Sequence, residues 1–198
     1  MKGNYTYSVC FDEKTEKLFR KAKYLGQGNN GIVYELPNNR VIKIFLKEKI
    51  CRAEGDTLKR TKKSKYFPNI YARGELYIVR EMVCGVRLDK YIKRNGLSKE
   101  MSMKIYRLLK EFKKLGFAKL DTRCRDVYVT EKLELRMIDP KGCYTRKVDF
   151  PRHLMKKLNG LKVLDTFFKH IEEKDPKLCM YWKSQLDKYF EKNNIEYN

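Results

Sequence analysis

Residues Gly26-Gln27-Gly28-Asn29-Asn30-Gly31 run without a break into Ile32-Val33-Tyr34, and that adjacency decides how the chain can begin to fold. Three glycines in six positions let the backbone turn tightly and lie close to whatever it covers. Asn29 and Asn30 tolerate turn conformations, whereas the β-branched and aromatic residues after Gly31 favour an extended chain. The run therefore predicts the tip of a β-hairpin. Leu18 to Leu25 leads into it and Gly31 to Leu36 returns. Pro37-Asn38-Asn39 supplies the next turn and Arg40 to Phe45 the next strand, giving a three-stranded meander. A dinucleotide-binding loop of similar spelling needs a helix directly after its last glycine, and here a strand follows. An ordinary tight hairpin and a phosphate-cradling loop both remain compatible with the pattern.

A short helix is predicted around Cys51 to Arg60, with Glu54 and Leu58 one turn apart, closed by Phe67-Pro68-Asn69. Leu76 to Val83 is the most β-like run in the middle of the chain. After Cys84-Gly85 the pattern becomes helical. Met101, Ile105, Leu108, Leu109, Phe112 and Leu115 recur at helical spacing between a Ser98 N-cap and a Gly116 stop. Two short strands, Val127 to Val129 and Leu135 to Ile138, flank a turn. The tail predicts two amphipathic helices, one carrying Leu161, Leu164, Phe167, Phe168 and Ile171, the other opening at Asp175-Pro176 and carrying Trp182, Leu186 and Phe190. The plan is α+β, with a strand-rich part at 1–83, a helix-rich part at 84–198 and a cleft expected where they join.

A chain of 198 residues with 42% hydrophobic and 13% aromatic content can bury a core. Met1-Lys2-Gly3-Asn4-Tyr5 has no apolar run behind its charge, and no stretch reaches the roughly 18 apolar residues of a membrane span. A soluble, cytoplasmic protein is expected, with no membrane partner. Six cysteines without a C-x-x-C pair, and only two histidines, His153 and His170, argue for reduced thiols rather than a structural zinc site. The net charge of +21 attracts acidic proteins or RNA, although a surplus spread along the whole chain also describes a solvated surface.

Lys43 lies in an apolar strand, where a charge needs a partner; Glu54 is the expected one and Glu48 the competitor. Further on come Asp121, Arg123, Asp126 and Asp139, the last at the end of an apolar run. In this order the residues fit G-x-G-x-x-G-x-V, the lysine of V-A-I-K, the H-R-D-L-x-x-x-N loop and the aspartate of D-F-G. From about Tyr24 to Gly142 the chain resembles the protein kinase-like superfamily. The short C-terminal part is similar to that of the small atypical kinases of the Bud32 and RIO type.

The resemblance implies a two-lobed kinase-like fold with a small β-rich N-lobe and a minimal helical C-lobe. It implies a glycine loop of Gly26, Gly28, Gly31 and Val33 over the phosphates of ATP, with Lys43 on the α- and β-phosphates, paired to Glu54. Glu81 and Val83 would offer backbone groups to the adenine, and Asp126 and Asp139 would hold Mg²⁺. Asp121 would be the general base or orienter of the attacking hydroxyl, with Arg123 steadying the transferred group. The chain departs from the pattern at several points. Asp126 replaces an asparagine, Lys119-Leu120 replaces His-Arg, and Pro140 follows Asp139 where phenylalanine is usual. Arg80 stands at the gatekeeper, and no A-P-E follows. Asp89 could reach a ribose hydroxyl or simply open a helix.

Three functions fit. The first is an ATP- and Mg²⁺-dependent serine/threonine protein kinase. The second is a small-molecule kinase of the aminoglycoside or choline type, for which Asp139-Pro140 speaks. The third is a pseudokinase or basic RNA-associated scaffold, for which Arg80 and the charge speak.

Overall fold

Asn38 and Asn39 adopt φ of 63° and 55°, left-handed conformations that asparagine tolerates, in the three-residue turn between Leu36 and its cross-strand partner Arg40. The computed structural model describes residues 9–140 and 142–198. Met1-Lys2-Gly3-Asn4-Tyr5 lies outside them. The described chain forms two units that divide between Met82 and Val83.

The first unit opens with helix α1 (Glu13–Phe19), followed by strands β1 (Lys23–Gly28), β2 (Gly31–Leu36) and β3 (Arg40–Phe45), helix α2 (Glu48–Arg60), and strands β4 (Ile70–Arg73) and β5 (Tyr77–Glu81). The strands make one antiparallel sheet in the order β1-β2-β3-β5-β4. The meander expected from the sequence is present, enlarged by β5 and the edge strand β4. Two expectations are corrected. Leu18 and Phe19 belong to a helix rather than to the strand entering the glycine run, and α2 begins at Glu48, three residues before Cys51.

Alternation along the strands gives the sheet two buried faces. On one, Leu36, Ile42, Tyr77 and Val79 pack with Phe11, Leu18 and Phe19 from the α1 region. On the other, Phe45 and Ile78 pack with Cys51 and Leu58 of α2. Lys43 shares the parity of Phe45, so it enters the α2 face.

The second unit holds strand β6 (Val86–Arg87), helices α3 (Leu88–Asn95) and α4 (Lys99–Lys114), a 3₁₀ turn at Cys124–Asp126, strands β7 (Val127–Val129) and β8 (Leu135–Met137), and helices α5 (Arg152–Gly160), α6 (Leu164–Glu172) and α7 (Pro176–Lys192). The three strands form a small antiparallel sheet in the order β6-β7-β8. Ser98 caps α4 by accepting from the Met101 amide at 3.2 Å, and Gly116 at φ 72° lies just past its end. Asp175 caps α7 by accepting from the Leu178 amide at 3.2 Å.

The tail contains three helices rather than two. Leu161 caps α5 and stands outside α6, because Lys162 at φ 57° turns the chain between them. Phe112 of α4, Phe167 of α6 and Leu186 of α7 are among the buried residues of this unit. Among the described residues, no helix is long and apolar enough to cross a membrane.

Candidate active site

In the first unit, strand register brings the expected residues together. Gly26 lies opposite Val33, Val33 opposite Lys43 and Lys43 opposite Ile78, so glycine run, valine and lysine stand in one row across the sheet. Lys43 Nζ donates to Glu54 Oε2 at 2.6 Å, and both side chains are buried, at 8% and 2% exposure. Glu48 is elsewhere, pairing with Arg52 on the exposed face of α2.

The three glycines differ in what they are for. A Cβ on Gly31 would lie 1.9 Å from the Ile44 carbonyl oxygen, and its φ of 153° disfavours other residues, so packing alone requires glycine there. A Cβ on Gly26 or Gly28 would meet nothing within 4 Å. Their backbone stands open to an approaching group.

Glu81 and Val83 fall differently. Glu81 pairs with Arg40 across the sheet, on the face opposite to Lys43. Its amide donates to the Asn69 carbonyl at 2.8 Å and its carbonyl accepts from Arg80 Nη1 at 3.0 Å, so both backbone groups are engaged. Val83 begins the second unit, outside any strand. Arg80, buried to 7% exposure, lies opposite Val41 on the Lys43 face.

In the second unit a hairpin does the gathering. Val127 pairs with Met137, and the Ile138 amide donates to the Asp126 carbonyl at 2.9 Å. The two ends of β7–β8 therefore meet, which makes neighbours of Asp126 and Asp139 although they are distant in sequence. Asp139 has φ 61°, a conformation aspartate tolerates better than most residues but at a cost in strain.

Asp121 stands on a segment tied down by parallel pairing. The Leu120 amide donates to the Val148 carbonyl at 2.7 Å, and the Val148 amide to the Ala118 carbonyl at 2.9 Å. Asp121, Arg123, Asp126 and Asp139 all line one cavity of about 150 Å³.

Arg152 and His153, which the sequence reading missed, hold Asp121. The carboxylate is 1% exposed, and both of its oxygens are engaged. Oδ1 accepts from the His153 amide at 2.9 Å, and Oδ2 accepts from Arg152 Nε at 3.2 Å and contacts His153 Nδ1. A carboxylate accepts, so Nδ1 carries the hydrogen and a neutral ring keeps its lone pair on Nε2. The His153 side chain is 37% exposed and also lines the cavity. Pro151 before α5 was the one local signal, since proline favours a helix start and would have placed Arg152 and His153 in a first turn.

Cys143, which lines the cavity, and Cys124, beside Arg123 in sequence, are unsuited to nucleophilic chemistry. Burial pushes the Cys143 thiol up to about 11 and the Cys124 thiol up to about 12, where little thiolate exists near neutrality. Among the described residues, no group of three or more His, Cys, Asp or Glu could hold a metal ion. Two neighbouring carboxylates still suit Mg²⁺, which keeps several waters and completes its shell with substrate phosphates. Asp89 sits in the first turn of α3, where it accepts from Arg87 Nε at 3.1 Å and from Nη2 at 2.6 Å. No protein-family model matches the chain, and no curated protein sequence matches it significantly.

Proposed function

We propose that this chain is an ATP- and Mg²⁺-dependent phosphotransferase of the protein kinase-like kind, acting on serine or threonine hydroxyls. The observation that carries the reading is the β7–β8 register, which makes Asp126 and Asp139 neighbours at the cavity that Asp121 also lines. The α+β architecture and the buried Lys43–Glu54 pair support it.

In this reading Asp126 and Asp139 would hold Mg²⁺, which would offset charge on the phosphates of ATP, the phosphoryl donor. Lys43 offsets phosphate charge, and its pairing with Glu54 fixes its direction. The open backbone at Gly26 and Gly28 accommodates phosphate oxygens. The acceptor hydroxyl loses its proton to the Asp121–His153 pair as its oxygen bonds to phosphorus and the bond to the ADP oxygen breaks. Asp121 keeps the imidazole in the tautomer able to take that proton, and Arg123 stabilises charge on the transferred group.

The test is transfer of labelled γ-phosphate from ATP, with label followed into protein, peptide and free phosphate. Asp139→Asn keeps size but removes metal-binding charge, so Mg²⁺-dependent turnover is expected to fall at least about a hundredfold. Undiminished turnover in that variant sinks the metal assignment.

One observation favours a second reading. Arg80 is buried beside Val41 and donates to the Glu81 carbonyl, occupying a backbone group a nucleotide base would use. A basic scaffold that does not turn over nucleotide would show no ATP binding in calorimetry with Mg²⁺ present; micromolar binding rules it out.

A further inference from the structure

A second, larger cavity of about 550 Å³ opens on the same unit, and Arg123, Arg125 and His153 line both it and the first. Its other charged residues are Arg87, Asp89, Lys156 and Lys157. The cations come from separate places in the chain: the end of β6, both flanks of Cys124, and the middle of α5. Among the described residues, five cations thus face one carboxylate, and that carboxylate is already held by the Arg87 fork. Arg123, Lys156 and Lys157 are exposed and make no ion pair among the described residues. Such convergence concentrates positive potential inside a concavity rather than spreading it over a solvated face.

The lining also limits what the cavity can receive. Among the described residues it contains no Phe, Tyr or Trp, and its one aromatic ring, His153, is held by Asp121, so a single-stranded nucleic acid finds no row of aromatic faces for successive bases to stack on. Guanidinium forks and lysines suit carboxylates. The position suits an acceptor, because the residues shared with the smaller cavity include His153, which holds Asp121.

We propose that this cavity docks the phosphate acceptor, and that the acceptor is an acidic protein segment whose aspartates or glutamates flank its serine or threonine. The proposal rests on the phosphotransferase reading and adds the substrate class to it.

Two measurements on the full chain separate the two ideas. The first is fluorescence anisotropy of a labelled serine peptide flanked by glutamates, without nucleotide, against a lysine-flanked peptide of equal length and a short single-stranded RNA. The second is phosphate transfer from ATP to both peptides. The acidic peptide is expected to bind at least about tenfold more tightly than the basic one, with affinity falling as salt is raised. K156E/K157E, on the exposed face of α5, should weaken acidic-peptide binding about tenfold or more and raise its KM for transfer. A circular-dichroism melt checks that the variant is folded, and K156Q/K157Q gives a gentler second case.

Acidic-peptide binding that both variants leave unchanged overturns the proposal. So does a preference for the basic peptide, or RNA that binds more tightly than the acidic peptide and loses affinity in the same variants. Charge-dependent peptide binding with no transfer to either peptide overturns the acceptor role and counts against the phosphotransferase reading, while leaving the docking site in place.

Discussion

At the scale of single residues, the Lys43–Glu54 pair joins stability to the proposed chemistry. Each charge is tolerated in the interior because the other lies 2.6 Å away. Replacing only one leaves an uncompensated buried charge, which costs about 3–5 kcal/mol, whereas removing both together is far cheaper. Lys43→Ala is therefore expected to lower the urea midpoint sharply, and the double variant Lys43→Met/Glu54→Leu to recover most of the loss. The proposed phosphotransfer should be lost in both. Recovery of stability without recovery of turnover distinguishes a lysine used in chemistry from one used in packing. A double variant no more stable than Lys43→Ala would show that the pair is not a mutually compensating unit.

At the scale of elements, α1 is fastened to the sheet through Asp12. Its Oδ1 accepts from the Thr15 amide at 2.9 Å, capping the helix, and its Oδ2 accepts from the Tyr77 hydroxyl of β5 at 2.7 Å. The Tyr77 hydroxyl above all, then Thr15, holds the Asp12 carboxyl down from 3.8 to about 2. A depressed carboxylate contributes stability above its unfolded value and loses it as pH falls through its folded value. The contribution should be complete above pH 3.8 and fade towards about pH 2. Asp12→Asn keeps a capping oxygen but no charge. Its deficit in urea midpoint against the wild type should be steady from pH 7 to about 5 and shrink in the acid window; a deficit independent of pH would remove the ionic part of this tie.

The sequence did not announce α1, because Glu13-Lys14-Thr15-Glu16-Lys17 shows no apolar periodicity and Leu18 and Phe19 are the helix's only apolar residues. Elements with their own punctuation were legible: the glycine run, Asn38-Asn39, Ser98 and Asp175 each marked an end. The β7–β8 hairpin was legible because the apolar run before Asp139 ended in time to meet Asp126. The short β4 and the nine-residue α5 carried too few apolar residues to set a period. The grip of His153 on Asp121 joins residues far apart in sequence, and no local pattern encodes such a contact.

At the scale of the whole molecule, the six cysteines report on both units at once. Cys10 and Cys84 are exposed, whereas Cys51 in the first unit and Cys124, Cys143 and Cys179 in the second are buried. Burial does two things to these thiols. It blocks a reagent's approach, and it raises the pH needed to form the reactive thiolate, pushing Cys51 up to about 11, Cys124 to about 12 and Cys143 to about 11, with Cys179 raised as well. Alkylation of a buried thiol must wait for its unit to open, so its rate follows the opening equilibrium rather than intrinsic reactivity. Iodoacetamide under native conditions, near pH 8 with reductant removed, should therefore modify Cys10 and Cys84 and leave the other four intact, while denaturant exposes all six. Peptide mass spectrometry reads the sites directly. Labelling of Cys51 as fast as Cys10 would mean that α2 is loosely held on its sheet, which would undercut the fixed lysine that phosphotransfer requires. Fast labelling of Cys124 or Cys143 would say the same of the segments that carry Asp121, Asp126 and Asp139. Protection in both units is the packing condition the proposed chemistry depends on, because a carboxylate pair meant to hold a metal gains only if its frame stays closed between turnovers.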